Sequence, residues 1–168
     1  IGGGDPVPET YTMNPDGSDQ RRLTVRDAFD GEPAWSPDGR EILILRSRDL
    51  RDTRYPERRG GRGFYIMDAD GGNIREIAHF KEAFGGGTWS PDGTQIAFHR
   101  STENEPGKFA ANAVYVMNRD GSGARNLTNH VATDMSPDWF DPRYSTAFTP
   151  AQRALFQWGW LKRVGRAR

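Results

Sequence analysis

The apolar residues of this chain fall in short runs of strand length, separated by turns rich in Asp, Gly and Pro. Residues 41–45 are almost wholly aliphatic, as expected of a β-strand covered on both faces. Residues 96–98 and 113–117 are rich in aliphatic and aromatic side chains, several of them β-branched, which also favour strands. No 3.6-residue apolar period runs through these segments. The pattern therefore predicts an all-β fold.

Two motifs recur in step along the sequence. Trp-Ser-Pro-Asp-Gly occupies residues 35–39 and 89–93, and an altered copy, Trp-Phe-Asp-Pro, occupies residues 139–142. The second motif, Tyr-x-Met-x-x-Asp-Gly, is followed six residues after its glycine by an aliphatic residue and then by Thr or Ala. Its copies start at Tyr11, Tyr65 and Tyr115. Both motifs shift by 54 and then by 50 residues, which identifies an internal repeat.

Each repeat predicts four strands, named A to D. Strand A ends at the Trp motif, strand B is the aliphatic run, strand C holds Tyr-x-Met, and strand D closes on the aliphatic residue. The Asp-Gly pairs are turns, because Gly adopts positive φ cheaply and Asp bonds back to its own backbone. A four-stranded antiparallel sheet repeated every 40–50 residues or so is the unit of a β-propeller.

These motifs resemble the TolB-like β-propeller repeats of bacteria, over about residues 9–142. The resemblance is specific for the fold and says little about function, because the shared residues are turn and core residues. The third copy departs from the family pattern, since residues 139–142 lack the Ser-Pro-Asp-Gly turn. We therefore expect the last sheet to be less regular.

The repeats divide the chain into two parts, residues 1–142 with the propeller repeats and residues 143–168 as a basic, aromatic tail. Within the first part the predicted units are a half blade at 9–24, blades at 33–78 and 87–128, and the start of a further blade at 137–142. That gives about three blades, whereas propellers have about four to eight. The fold is therefore expected to be an open propeller fragment or half of a six-bladed ring. The missing blades would come from a longer parent chain or from a second copy. The start at Ile1, without an initiator Met, suggests a fragment or a processed product.

The tail has two interpretations. Its apolar residues can form one stripe of a basic amphipathic helix, which would suit a membrane surface or a partner. Alternatively, residues 155–161 form a degenerate strand B, with Phe156, Trp158 and Trp160 on one face. We favour the strand, because the repeat requires one there and because it would complete the half blade at the other end of a ring.

The composition of the chain argues against several classes of function. The chain has 23 basic and 23 acidic residues, which gives no overall attraction to nucleic acid or anionic membrane. It has no cysteine, so disulfides and thiol chemistry are excluded. No apolar run of about 18 residues predicts a transmembrane segment. Neither a Gly-x-Ser-x-Gly nucleophile motif nor a phosphate-binding glycine loop is present, and we expect no cofactor.

Recognition is predicted on one face of the propeller. Strands alternate in direction, so the B–C and D–A connections lie on one face, which we call the B–C face. The predicted B–C loops span residues 46–63 and 100–112, and long loops on a rigid scaffold are common binding sites. The first loop is rich in arginine and suits a carboxylate, a phosphate or an acidic partner; alternatively, its three acids pair with the arginines in a solvated loop. The predicted contacts are Arg54, Tyr55, Arg58, Arg59 and Arg62.

We predict no metal site, although three candidate ligands lie near the same face. His79, His99 and His130 could ligate Zn²⁺ or Mn²⁺, as histidines do in some propeller lyases that act on pectic fragments. No further ligands accompany them at suitable spacing. The residues and the resemblance together predict a non-catalytic module, periplasmic or secreted, that binds a protein or peptide and that self-associates to complete the ring. The alternative is the propeller of an enzyme, either a metal-dependent polysaccharide lyase or the gating domain of a serine peptidase.

Overall fold

A computed structural model describes residues 8–25, 28–48, 62–80, 84–105, 108–128 and 132–141. These residues form strands and turns only, so none of them belongs to a helix that could cross a membrane. The strands are β1 (Tyr11–Thr12), β2 (Arg21–Arg22), β3 (Ala28–Trp35), β4 (Glu41–Arg48), β5 (Arg62–Asp68), β6 (Arg75–Phe80), β7 (Phe84–Trp89), β8 (Gln95–Glu105), β9 (Lys108–Asn118) and β10 (Arg125–Asn126).

The strands form three antiparallel sheets. Strands β3 to β6 make a four-stranded sheet in sequence order, and β7 to β10 make a second. Strands β1 and β2 make a two-stranded sheet. We call the two-stranded sheet blade 1 and the four-stranded sheets blades 2 and 3. The predicted all-β fold of four-stranded antiparallel blades is confirmed.

The Ser-Pro-Asp-Gly turn joins strands A and B through side chains as well as backbone. The hydroxyl of Ser36 accepts the Glu41 N–H at 2.9 Å and donates to Asp38 at 2.6 Å. In blade 3 the Gln95 N–H and Ser90 make the same 2.9 Å bond. The repeated Ser and Asp therefore belong to the turn, which explains them without a catalytic role.

Strand D ends in a way that depends on one residue. Thr24 accepts the Thr10 N–H on its hydroxyl at 3.0 Å, and Thr128 accepts the Val114 N–H at 2.9 Å. In both blades the threonine side chain replaces a backbone acceptor, and strand D is only two residues long. Blade 2 has Ala78 at this position, which has no hydroxyl, and there the backbone pairing continues to Phe80.

Two apolar clusters hold the blades together. The larger lies between blades 2 and 3 and includes Leu43, Phe64, Phe84 and Phe98, all almost fully buried. The rings of Phe64 and Phe84 lie 4.9 Å apart, at a tilted angle that suits aromatic pairs. The smaller cluster lies at the boundary of blades 1 and 2. It contains Ile42, Ile44, Tyr65 and Met67, with Leu23 and Ile74 packed against it.

The repeated Trp connects each blade to the one before it. The indole N–H of Trp89 donates to the Ala34 carbonyl at 3.1 Å, and that of Trp139 donates to the Thr88 carbonyl at 3.2 Å. In each case the acceptor is the residue just before the preceding Trp. Residues leading to Trp139 therefore dock on blade 3 as strand A docks within the repeat, although no regular strand is formed there.

In blades 2 and 3 the glycine of the turn between strands C and D also meets the preceding blade. Gly71 and Gly121 have φ of 88° and 83°, which favours glycine on conformational grounds. They also have no room for a side chain. A Cβ on Gly71 would lie 2.7 Å from the Leu23 carbonyl oxygen, and one on Gly121 would overlap the Ile77 carbonyl.

The prediction of a long loop at residues 100–112 is wrong. Strands β8 and β9 continue through most of this range, with pairs such as Ser101 with Asn112 and Glu105 with Lys108. The sequence there is polar, and we had expected strands to stop with the apolar run. Backbone pairing does not need apolar side chains, and the Ser101 hydroxyl bonds to Asn112 at 2.8 Å across the pair. Most of this B–C connection is therefore paired as a hairpin.

Candidate functional site

A β-bulge interrupts strand A of blades 2 and 3, on the B–C side of the Trp. The residue with positive φ stands three residues before the Trp: Glu32 (52°) in blade 2 and Gly86 (63°) in blade 3. Ser136, three residues before Trp139, has a similar φ of 53°. In blades 2 and 3 the strand pairing shifts register at this point. Positive φ is uncommon in residues other than glycine, and bulges often redirect a side chain near a functional site.

The Glu32 bulge sends its carboxylate into the next blade. The Gly86 N–H donates to this carboxylate. A Cβ on Gly85 would lie 2.9 Å from a Glu32 oxygen and 3.3 Å from the His99 ring. The two glycines therefore leave the space in which a carboxylate of blade 2 and an imidazole of blade 3 come close together.

His99 is partly enclosed beside this carboxylate. Its Nδ1 is buried and has no hydrogen-bond partner among the described residues. Burial lowers the pKa of His99 below its ordinary value, the negative charge of Glu32 opposes that shift, and the positive charge of Arg62 adds to it. Burial therefore favours the neutral imidazole, and its Nδ1 lies against Gly86, where a Cβ would come within 2.8 Å of it.

Arg62 is the one predicted contact that the described part of the chain includes. It begins β5 and is exposed, and its charge is close enough to act on His99. Glu32 and His99 thus meet on the B–C face, and the charge of Arg62 reaches His99 from a third strand. Arg54, Tyr55, Arg58 and Arg59 lie outside the described residues.

A buried ion pair fixes the end of blade 2 that carries this group. Arg46 binds both oxygens of Asp30, at 2.5 and 2.7 Å, and both residues are about 95% or more buried. The guanidinium also lies 5.1 Å from the centre of the Tyr65 ring. We had placed Arg46 at the start of a basic loop. It belongs instead to β4, because Asp30 on the neighbouring strand neutralises it.

Of the three candidate metal ligands, the structure describes His79 and His99. His79 lies on β6, with its Nδ1 3.7 Å from a Glu76 oxygen. The other Glu76 oxygen accepts the Tyr65 hydroxyl at 2.7 Å. No three His, Asp or Glu side chains among residues 8–141, leaving aside the undescribed gaps, are placed to hold a metal ion. His130 lies in one of those gaps.

Sequence reasoning missed Glu32 and the two glycines. The signal was their position, since Glu32, Gly86 and Ser136 share one place in the repeat while their residue types differ. A position that keeps its backbone conformation in every repeat but changes its residue type is a good candidate for a function specific to one blade.

Comparisons with known proteins identify the repeats. No family model matches the chain. The Tol-Pal system protein TolB of Anaeromyxobacter dehalogenans (strain 2CP-C) is 38% identical over 131 residues, which cover 78% of this chain and 26% of that protein. The TolB of Anaeromyxobacter sp. (strain K) is 37% identical over the same coverage. The chain thus spans about a quarter of the length of these relatives.

Solved structures agree on the fold. TolB from Acinetobacter baumannii superposes with a TM-score of 0.56 at 21% identity, over 74% of this chain and 27% of that one. A putative TolB from Agrobacterium tumefaciens gives 0.56 at 20% identity, over 76% and 46%. An oligogalacturonate lyase in complex with manganese gives 0.54 at 15% identity, over 73% and 35%, and at that identity only the fold is shared. Motifs, blades and relatives together show that this chain is built of TolB-like β-propeller repeats.

Proposed function

We propose that the chain is a non-catalytic recognition module that binds a protein or peptide on its B–C face. The observation that supports this most is the convergence of Arg62, Glu32 and His99 from separate strands. An exposed guanidinium recognises a carboxylate, and a carboxylate such as that of Glu32 accepts hydrogen bonds from a peptide backbone. Such a group suits an acidic or backbone-rich ligand.

The scaffold around this group favours binding by a preformed surface. Arg46 and Asp30 are locked beneath it, and Arg100 stacks on Phe80 with 4.8 Å between guanidinium carbon and ring centre. Rigid support lowers the entropic cost of binding. The four further predicted contacts, Arg54, Tyr55, Arg58 and Arg59, would extend the surface along the same connection.

The matched test compares two exposed arginines on opposite faces. A partner is first captured with a longer protein that contains this chain, and its affinity is then measured against variants. We expect Arg62→Ala to weaken binding by about tenfold. Arg75→Ala should leave the affinity unchanged, because Arg75 lies on the opposite face, beside the turn between strands C and D. Replacing all five predicted contacts by Ala should abolish binding. If the variant with all five substitutions keeps an affinity within about threefold of that of the parent, the proposed face is wrong.

The enzyme alternative has its own test. Metal analysis of the purified protein should find no stoichiometric transition metal. A stoichiometric metal that is lost when His79, His99 and His130 are replaced would overturn the proposal of a non-catalytic module in favour of a metal-dependent enzyme.

We further propose a periplasmic or secreted setting, on the basis of the resemblance to TolB-like repeats and of the Tol-Pal system proteins at 37–38% identity. Fractionation of cells that express the natural, full-length gene would test it. Recovery in the cytoplasm alone would contradict it.

A further inference from the structure

We propose that His99 is a pH-sensitive switch at the junction of blades 2 and 3. Its neutral imidazole keeps the junction closed, and its imidazolium loosens the junction. The switch belongs to the free protein and does not depend on the partner proposed above. Three observations carry it, namely the position of the ring between two blades, a buried ring nitrogen and a carboxylate close to the ring.

His99 lies where blades 2 and 3 meet the residues that lead to Trp139. A Cβ on Gly86 would lie 2.8 Å from the His99 Nδ1 and 3.5 Å from the Ser136 Cα. A Cβ on Gly85 would lie 2.9 Å from a Glu32 carboxylate oxygen and 3.3 Å from the His99 Cε1. The imidazole therefore fills the space that the two glycines leave, and a displacement of the ring opens that space.

The repeat shows that packing at this position does not need a titratable side chain. Leu45 occupies the same position in blade 2, since Leu45 pairs with Gly31 as His99 pairs with Gly85. Leu45 is almost fully buried and belongs to the apolar cluster between blades 2 and 3. An aliphatic residue therefore meets the packing requirement, and the histidine adds a group that titrates near neutral pH.

Protonation of the imidazole puts an N–H on both ring nitrogens. The Nδ1 of His99 is buried and has no hydrogen-bond partner among the described residues, so the new donor and its charge would be enclosed without an acceptor. The imidazolium therefore leaves the space beside the glycines and turns to the carboxylate of Glu32. That carboxylate accepts the Gly86 N–H, which loses protection as the imidazolium competes for the same acceptor.

The charges around the ring set the pH at which the switch responds. In the part of the chain that the structure describes, the charged groups that act on His99 are Glu32 on β3 and Arg62 on β5. Burial lowers the pKa of His99 below its ordinary 6.5, Glu32 opposes this shift, and Arg62 adds to it. The unfolded chain therefore takes up the proton first. The stability that the neutral ring contributes is complete above about pH 6.5 and is lost as the pH falls through the lower pKa of the folded state.

Amide exchange at Gly86 tests the switch in the natural, full-length protein. NMR of protein labelled at glycine and histidine follows the Gly86 amide and the His99 ring from about pH 8 to about pH 4. We expect the protection factor of the Gly86 amide, corrected for the intrinsic pH dependence of exchange, to fall at least about tenfold as the pH is lowered. The midpoint of this loss should coincide with the titration of the His99 ring, below pH 6.5.

His99→Leu is the central variant, because Leu45 shows that the repeat accommodates leucine at this position. In His99→Leu the Gly86 amide should stay protected over the whole pH range. His79→Leu is the matched control, since it removes the histidine of β6 and leaves the junction untouched. It should leave the transition unchanged.

Two charge variants distinguish the imidazole from the carboxylate as the titrating group, and they keep the test valid if His99→Leu does not fold. Glu32→Gln keeps an oxygen for the Gly86 N–H, removes the negative charge beside His99 and should lower the midpoint. Arg62→Gln removes positive charge and should raise the midpoint. Circular dichroism shows whether each variant folds.

Three results would overturn the proposal. A transition that survives in His99→Leu would show that another group titrates. A transition that disappears in Glu32→Gln would identify the carboxylate as that group. Constant protection of the Gly86 amide from about pH 8 to about pH 4 would show that the junction does not respond to His99 at all.

Discussion

Blades 1 and 2 contain the same strand C motif in opposite surroundings. Tyr65 and Met67 are 5% and 0% exposed, whereas Tyr11 and Met13 are 55% and 65% exposed. The Tyr and the Met are identical, and each strand is followed by an Asp-Gly turn. What differs is the surroundings, because β4 pairs with β5 and Leu23 of blade 1 packs against the Tyr65–Met67 cluster. No described strand pairs with that edge of β1, and no described blade precedes it. The repeat specifies the shape of a strand, and the neighbouring strand and blade determine whether it is buried.

Substitutions of two turn glycines should have the largest effect on stability. They separate the cost of backbone strain from the cost of a clash with the preceding blade. Gly121→Ala and Gly17→Ala carry the same backbone strain, since φ is 83° and 84°. Only Gly121 also lies against a backbone carbonyl of the preceding blade. We expect Gly17→Ala to lower the free energy of unfolding by about 1–2 kcal/mol and Gly121→Ala by at least about 2 kcal/mol more. Chemical denaturation at concentrations where the chain is monomeric measures the free energy of unfolding of both variants. Equal losses would show that contact with the preceding blade does not add to the cost.

Truncation of the strand C methionines tests burial itself. Met67→Ala removes a fully buried side chain and should cost about 2–5 kcal/mol of unfolding free energy. Met13→Ala removes an exposed one and should cost less than about 0.5 kcal/mol in the monomeric chain. If both lose a similar amount, Met13 is buried in solution and the comparison of the blades fails.

Loss of a Trp indole hydrogen bond should lower the free energy of unfolding by a smaller amount. Trp89→Phe removes a donor to the Ala34 carbonyl and should cost about 1 kcal/mol through the lost hydrogen bond, plus a packing loss. Trp35→Phe has no such bond to lose among the described residues and should be close to neutral. Thermal unfolding of the two variants side by side measures the difference, and a larger loss for Trp35→Phe would contradict the role given to the Trp89 bond.

The Ser-Pro-Asp-Gly turns of blades 2 and 3 differ by the hydroxyl of Thr94, whose effect on the pKa of Asp92 can be measured by a pH titration. Ser90, the Thr94 N–H and the Thr94 hydroxyl all donate to Asp92 and hold its pKa at about 2, below the ordinary 3.8. Its stabilising contribution is therefore complete above about pH 4 and is lost as the pH falls towards 2. Thr94→Ala should raise the pKa of Asp92 measured by NMR, while the pKa of Asp38, which is lowered by other donors, should stay where it is. No change at Asp92 would show that the hydroxyl is not a donor in solution.

The sequence predicted the blades well because repetition multiplies a weak local signal. A single Asp-Gly or aliphatic run is ambiguous, but the turns at residues 38–39 and 92–93 and the strands beside them agree in register. The length of the β8–β9 hairpin was not predictable by the same means, since its outer pairs are polar. The burial of Arg46 depends on Asp30, a partner 16 residues away that no motif connects to it. Glu32 was missed because its bulge is a feature of backbone conformation, and φ is not visible in composition.

Amide hydrogen exchange at strand C tests most directly the claim that the neighbouring strand decides burial. In complete blades the amides of alternate residues point to strand D, as the Val114 N–H does, so those of Tyr65 and Met67 point to strand B. In the monomeric chain we predict that the Tyr11 and Met13 amides exchange at least about 100-fold faster than those of Tyr65 and Met67. Equal protection of the two pairs would contradict the account.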